Sequence, residues 1–120
     1  MQNRQFEIWY FTTASGANPV REYITGKDDK TRQKINSTIN LLINKGLELT
    51  WPFVKHLRGK LRELIIEYAG NEYRIIFTWY SGKIVFLHAF DKKRQATKNR
   101  DMEIAEMRLK AVDEYEKRKK

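Results

Sequence analysis

From Phe90 onward a hydrophobic stretch gives way to Asp91-Lys92-Lys93-Arg94-Gln95-Ala96-Thr97-Lys98-Asn99-Arg100, after which a helical pattern begins. Five of the nine residues from Lys92 to Arg100 are cationic, and the nearest acids are Asp91 and Asp101 at the flanks. A merely solvated surface intersperses acids with bases, so Lys92, Lys93, Arg94, Lys98 and Arg100 together read as a seat for a polyphosphate. Arg74 stands between Tyr73 and Ile75 in a strand-like run, where an exposed charge has little structural purpose. Its planar guanidinium suits bidentate contact with a phosphate, and the competing role is a surface ion pair with Glu67 on the neighbouring strand. His88 falls among apolar residues and reads first as a hydrogen-bonded core histidine, second as a general acid or base. His56 lies in a basic stretch with Lys55, Arg58, Lys60 and Arg62 and is open to either role. The two histidines are far apart and have no cysteine to help them, a poor zinc set, so neither a metal nor a cofactor is expected.

The elements that must position these groups follow from periodicity. Alternation of Phe6, Ile8 and Tyr10 with Glu7, Trp9 and Phe11 predicts a first strand at about 5–12. Asn18-Pro19 is an N-cap with proline at the first helical position, opening a short helix that runs to Gly26. Asp28 or Asp29 caps a second helix with an apolar stripe at Ile35, Ile39 and Leu42 and a stop at Gly46, which completes an αα-hairpin. Leu47 to Leu61 is expected to be a loop. Leu61 to Ala69, Glu72 to Tyr80 and Lys83 to Phe90 then form a three-stranded antiparallel meander, closed by tight turns at Gly70-Asn71 and Ser81-Gly82. From about Asn99 to Arg118 the recurrence of Met102, Ala105, Leu109 and Val112 predicts a C-terminal helix.

With two-residue loops, Glu67 faces Arg74 and Arg74 faces Ala89. One face then carries Leu64, Ile66, Tyr68, Tyr73, Ile75, Phe77, Trp79, Ile84, Phe86, His88 and Phe90, and is the core face under the αα-hairpin. The other carries Glu63, Ile65, Glu67, Arg74, Ile76, Thr78, Tyr80, Lys83, Val85, Leu87 and Asp91, the mixture of a groove whose apolar part the C-terminal helix shields. Trp9, Phe11, Trp51, Phe53 and Trp79 read as core residues rather than base-stacking platforms.

The chain has 120 residues, enough for one domain with its own core, and no cysteine, which excludes disulfides and thiolate chemistry and fits a reducing cytosol. Its first residues run straight into a strand pattern without a signal-like apolar region, and no apolar run reaches membrane-spanning length, so a cytoplasmic protein without a membrane partner is expected. A net charge of +9 and a pI near 9.8 make nucleic acid, an anionic membrane or an acidic protein the natural partners, and charge alone does not choose among them. The basic tail Lys117-Arg118-Lys119-Lys120 adds little to that inference.

The element order and five ordered strings resemble the RelE/ParE superfamily of toxin–antitoxin toxins, most of all its HigB-like, phage-derived branch. Asn18-Pro19-Val20-Arg21-Glu22-Tyr23-Ile24 is similar to that branch's NPVREFI motif, and Lys55-His56-Leu57-Arg58-Gly59-Lys60-Leu61-Arg62-Glu63-Leu64 to its KxLxGxLxELR stretch. Tyr73-Arg74-Ile75 matches its central YRI. Gly82 to Phe90 resembles GxIVLLHGF, with Ala89 in place of glycine, and Lys92 to Thr97 resembles KKTQKT, followed by Lys98 where the family commonly has proline. The resemblance implies a RelE-like α+β fold and an endoribonuclease that enters the ribosomal A site and cuts the translated message without metal. It also implies silencing by a cognate helix-turn-helix antitoxin, with operator DNA bound only through the antitoxin complex. Arg74 would then clamp the phosphate and Lys92 and Lys93 stabilise the transition state or move a proton, with His56 and His88 in reserve. Lys55, Arg58, Lys60, Arg62, Arg94, Lys98 and Arg100 would hold RNA. A ParE-like gyrase inhibitor and a non-catalytic RNA- or antitoxin-binding module are the alternatives.

Overall fold

A computed structural model of the chain describes residues 5–93 and 99–119. The order of elements is β1 (Glu7–Tyr10), α1 (Pro19–Thr25), α2 (Asp29–Lys45), a single 3₁₀ turn (Gly46–Glu48), β2 (Val54–Arg58), β3 (Leu61–Tyr68), β4 (Asn71–Tyr80), β5 (Lys83–Lys92) and α3 (Asn99–Lys119). This is the expected α+β architecture of N-terminal strand, helical hairpin, meander and C-terminal helix. The sheet has five strands in the order β1-β5-β4-β3-β2, antiparallel except that β1 runs parallel to β5. Among the described residues no helix is long and apolar enough to cross a membrane.

The helical hairpin forms where its caps place it. The Asn18 side chain accepts from the Arg21 amide, while the Glu22 carboxylate accepts from the Asn18 amide, so two orphan donors of the first turn are satisfied reciprocally. Asp28 accepts from the Thr31 amide at 2.8 Å and starts α2. Gly46 ends it at φ +58, where a Cβ would drive into the Phe6 ring that packs there. Val20 and Ile24 of α1 and Ile35, Ile39 and Leu42 of α2 bury against Leu64, Ile66, Ile75, Phe77, Ile84 and Phe86 on one sheet face. On the opposite face Met102 and Ala105 of α3, with Leu109 and Val112 alongside, close a second cluster over Leu61, Ile76, Val85 and Leu87.

Four features differ from the sequence expectation. The segment expected as a loop contains β2, an edge strand paired antiparallel to β3. Its strand alternation is muted because Lys55, His56 and Arg58 occupy three of its five positions, as suits an edge that must not recruit further strands. The first hairpin turns at Ala69-Gly70, both at positive φ, instead of Gly70-Asn71, so Glu67 pairs with Glu72 and Arg74 with Ile65. That slip moves each partner by two residues and leaves the faces unchanged. The third difference has larger consequences. Pairing passes from Phe77↔Phe86 to Ile76↔His88, so Leu87 is an extra residue and β5 bulges there. Beyond an odd insertion the faces exchange, and His88 and Phe90, expected under the helical hairpin, lie on the α3 face. Asp91 goes the other way, to the hairpin face. Finally, Trp51, Phe53 and Trp9 are not core residues: they are 71%, 40% and 44% exposed.

Candidate functional site

Every second residue of a strand shares a face, and the α3 face of the sheet gathers Lys55 of β2, Glu63 and Ile65 of β3, Glu72 and Arg74 of β4, and Phe90 and Lys92 of β5. The register sets Lys55 against Glu63, Ile65 and Phe90 on either side of Arg74, and Lys92 against Glu72. The apolar portion of this face lies under α3, and the charged end opens into a cleft of about 910 Å³. Lys27, Trp51, Lys55, Gly70, Asn71, Glu72, Tyr73, Arg74, Asp91, Lys92 and Lys93 line it. Its five cations outnumber its two carboxylates.

Arg74 is not the exposed groove residue that the sequence suggested. It is 6% exposed, and its Nη1 donates to Glu63 Oε1 at 2.6 Å while Nη2 donates to Glu72, in place of the expected Glu67 pair. Glu63 is completely buried, and the Glu72 side chain is partly exposed. Arg74 Nε is buried without a hydrogen-bond partner among the described residues. A charge in the middle strand is sustainable here because Glu63, one strand over, and Glu72, two residues earlier, both present carboxylates on the same face.

Lys92 is partly buried beside this network. Burial first, then the cations Arg74 and Lys55, push its ammonium below the ordinary lysine pKa, against the opposing pull of Glu63 and Glu72. Lys55, Lys92 and Lys93 form no ion pair among the described residues. On the far rim, Asp91 Oδ1 accepts from Tyr23 Oη at 2.5 Å and from Lys27 Nζ at 2.8 Å. Burial would raise the Asp91 pKa, but those two hydrogen bonds with the Lys27 and Lys93 charges hold it below the usual carboxylate value. Burial and the Asp91 contact conversely raise the Tyr23 phenol far above its ordinary value. Lys27 also lies 4.6 Å from the Tyr23 ring centroid and 5.1 Å from that of Tyr73, so this rim is a fixed ion-pair and cation–π cluster.

The fold thus brings together Lys55, Arg74, Lys92 and Lys93 and leaves the other candidates elsewhere. His88 sits beneath α3, stacked on Phe90 at 5.4 Å, with Nε2 2.7 Å from Asp101 Oδ1 and Nδ1 3.5 Å from Arg108 Nη1. Burial lowers its pKa despite Asp101, and the Arg108 and Arg100 charges add to the lowering, so a neutral ring donates through Nε2 to Asp101. His56 is exposed on the edge strand, its Nε2 2.8 Å from the Gly59 carbonyl across the β2–β3 turn. Arg58 pairs with Glu106 of α3 at 3.3 Å, Lys60 lies 5.9 Å from the Tyr80 ring centroid, and Arg62 shares the hairpin side with Phe77. Arg100 is exposed in the first turn of α3, while Arg94 and Lys98 lie outside the described residues. The sequence reading overlooked Lys27, Glu72, Asn71 and Trp51. Lys27 could have been suspected from its place between the two helix caps, but nothing local to Trp51 separated it from a core tryptophan.

A mixed sheet backed by a helical hairpin, with a basic cleft open beside a C-terminal helix, defines an α+β domain suited to an anionic partner. The family described as phage derived protein Gp49-like (DUF891) matches residues 22–110, and the chain belongs to this family, which is a RelE/HigB-type toxin family. Membership implies a cognate antitoxin as partner. No curated protein matches the sequence.

Proposed function

We propose that the protein is the toxin of a type II toxin–antitoxin pair of HigB-like type and cuts translated message on the ribosome. The observation that carries this reading is the convergence of Lys55, Arg74, Lys92 and Lys93 on one open cleft, where strands hold the first three and Lys93 directly follows the end of β5. RNA supplies its own nucleophile. The ribose 2′-oxygen bonds to the adjacent phosphorus as the P–O5′ bond breaks; a base takes the 2′ proton, an acid protonates the departing 5′-oxygen, and a cyclic phosphate remains. The protein must hold the groups in line, stabilise charge on the phosphoryl oxygens and move two protons. Lys92, with its lowered pKa, is the group suited to accept the 2′ proton. Lys93 is the companion charge and donor. Arg74 is held by Glu63, and its partly exposed partner Glu72 is the carboxylate that a phosphate would replace. Lys55 and Lys27 extend the positive track.

His88 and His56 are left out of this chemistry, because neither lines the cleft. The cognate antitoxin would be a helix-turn-helix protein, and operator DNA would be contacted only through the complex. Mapping message ends after a brief pulse of expression tests the reading. Cuts inside translated codons that vanish in Lys92→Ala are expected. Intact messages with gyrase-linked DNA damage would instead establish the ParE-like activity.

A further inference from the structure

Three tryptophans meet three fates in this fold. Trp79 packs edge-on against Phe6 at 5.3 Å, and Trp9 carries Lys83 at 4.3 Å from its ring centroid. Trp51 is 71% exposed and, among the described residues, has neither a ring nor a cation against it. An indole is among the largest apolar surfaces a chain can bury, so this one contributes little to the core. Its position is nevertheless fixed. The Phe53 and Val54 amides both donate to the Thr50 carbonyl, at 3.0 and 3.1 Å, closing a turn that presents Trp51. The Ile65 amide donates to the Phe53 carbonyl at 2.8 Å, and Ile65 is the register partner of Arg74. The turn is therefore anchored one strand away from the buried guanidinium, and Trp51 lines the same cleft as Lys55, Arg74, Lys92 and Lys93. Phe53, 40% exposed, adds apolar surface beside it.

A cationic floor next to an unoccupied aromatic face matches a ligand that joins negative charge to a flat apolar ring within one repeating unit, which is a nucleotide with its base unstacked. We propose that Trp51 is a stacking platform for an unpaired nucleobase of the RNA whose phosphate lies among Arg74, Lys92 and Lys93, which makes the cleft selective for single strands. This rests on the ribonuclease reading above. Every base has a π-face, so the platform sets the position of the strand more than its sequence.

The test uses the full chain and a short, unstructured oligoribonucleotide with 2′-O-methyl sugars, which cannot be cut, beside the same strand made abasic. Trp51→Ala should weaken binding of the first roughly ten- to hundredfold while leaving its salt dependence, and binding of the abasic strand, unchanged. Trp51→Phe should retain most of the affinity, and an unchanged melting temperature would exclude misfolding. Lys92→Ala should weaken both strands and flatten the salt dependence. If the wild-type protein binds both strands and Trp51→Ala binds them equally well, the platform is wrong and the RNA reading survives. Wild-type protein that binds neither strand overturns the platform, while the ribonuclease reading stands or falls with the mapped message ends. A variant that binds RNA normally but loses its antitoxin would make Trp51 a protein-docking residue and overturn the proposal.

Discussion

On the proposed reading, Lys92 and Arg74 have separate roles in the cleft that substitution can tell apart. A lysine that accepts a proton must be able to lose its own, and burial beside Arg74 and Lys55 moves Lys92 in that direction. Lys92→Arg keeps the charge but stays protonated at every accessible pH. It should bind RNA nearly as well as the parent and lose cleavage by on the order of 10²–10³, the scale for a preorganised catalytic group. The parent rate should rise with pH through the lowered lysine pKa, and this limb should be missing in the variant. Single-turnover cleavage across pH checks both, and full activity in Lys92→Arg would reduce Lys92 to a point charge. Arg74 calls for different treatment, because it is buried against Glu63. Removing one partner of a buried pair costs roughly 3–5 kcal/mol, so Arg74→Ala should lower the denaturation midpoint as well as toxicity. The double substitution Arg74→Met with Glu63→Leu should recover much of the stability and none of the activity. A stable, inactive Arg74→Ala would show that the buried pair contributes little to folding.

At the level of elements, the bulge at Leu87 is decisive. It turns His88 toward α3, where Asp101 and Arg108 meet its two ring nitrogens, and so makes the histidine part of the attachment of α3 to the sheet. The folded-state pKa is depressed below the ordinary 6.5, so the unfolded chain takes up the proton first as pH falls. Stability from this group is complete above pH 6.5 and is lost as pH falls through 6.5 toward the depressed value. The protein should therefore melt at a lower temperature at pH 5.5 than at pH 7.5. The difference should shrink in His88→Gln, whose side chain cannot titrate. His88→Ala should cost about 1–3 kcal/mol through lost hydrogen bonds and packing. Equal pH dependence in His88→Gln and the parent would assign the effect to other groups.

Across the whole molecule, the charge of +9 is less telling than its placement. Several cations are absorbed by structure: Lys27 by Asp91, Arg58 by Glu106, Arg74 by Glu63 and Glu72. Lys55, Lys92 and Lys93 remain facing the cleft. Binding to single-stranded RNA should fall with salt at a log–log slope of about −0.7 per phosphate contact. Lys92→Ala with Lys93→Ala should flatten that slope by one to two contacts, whereas Lys60→Ala, outside the cleft, should leave it nearly unchanged. Fluorescence titrations over a range of salt concentrations check this, and equal slopes in all three proteins would detach the cleft from RNA binding.

Local rules made most of the elements legible. Asn18-Pro19 and Asp28 start helices because capping needs only neighbouring residues, and the stripes at Ile35, Ile39, Leu42 and at Met102, Ala105, Leu109 follow from one repeating angle. The basic cluster and Arg74 stood out as charges with no evident local purpose, and Arg74 then found its partners in Glu63 and Glu72. Other features depended on partners distant in sequence. β2 became a strand because β3 lay beside it, and the shift of the first turn by one residue exchanged Glu67 for Glu63 as the cross-strand partner of Arg74. The extra residue at Leu87 reversed the faces of His88 and Asp91, since a period of two cannot survive an odd insertion. Trp51 has the composition of a core residue, and its exposure was decided by where the turn before β2 is tied to the sheet. Sequence thus determined which segments become helices and, β2 apart, strands, and which residue types could meet a phosphate. Register, a long-range property fixed by turns, bulges and packing, decided which of those residues share a cleft.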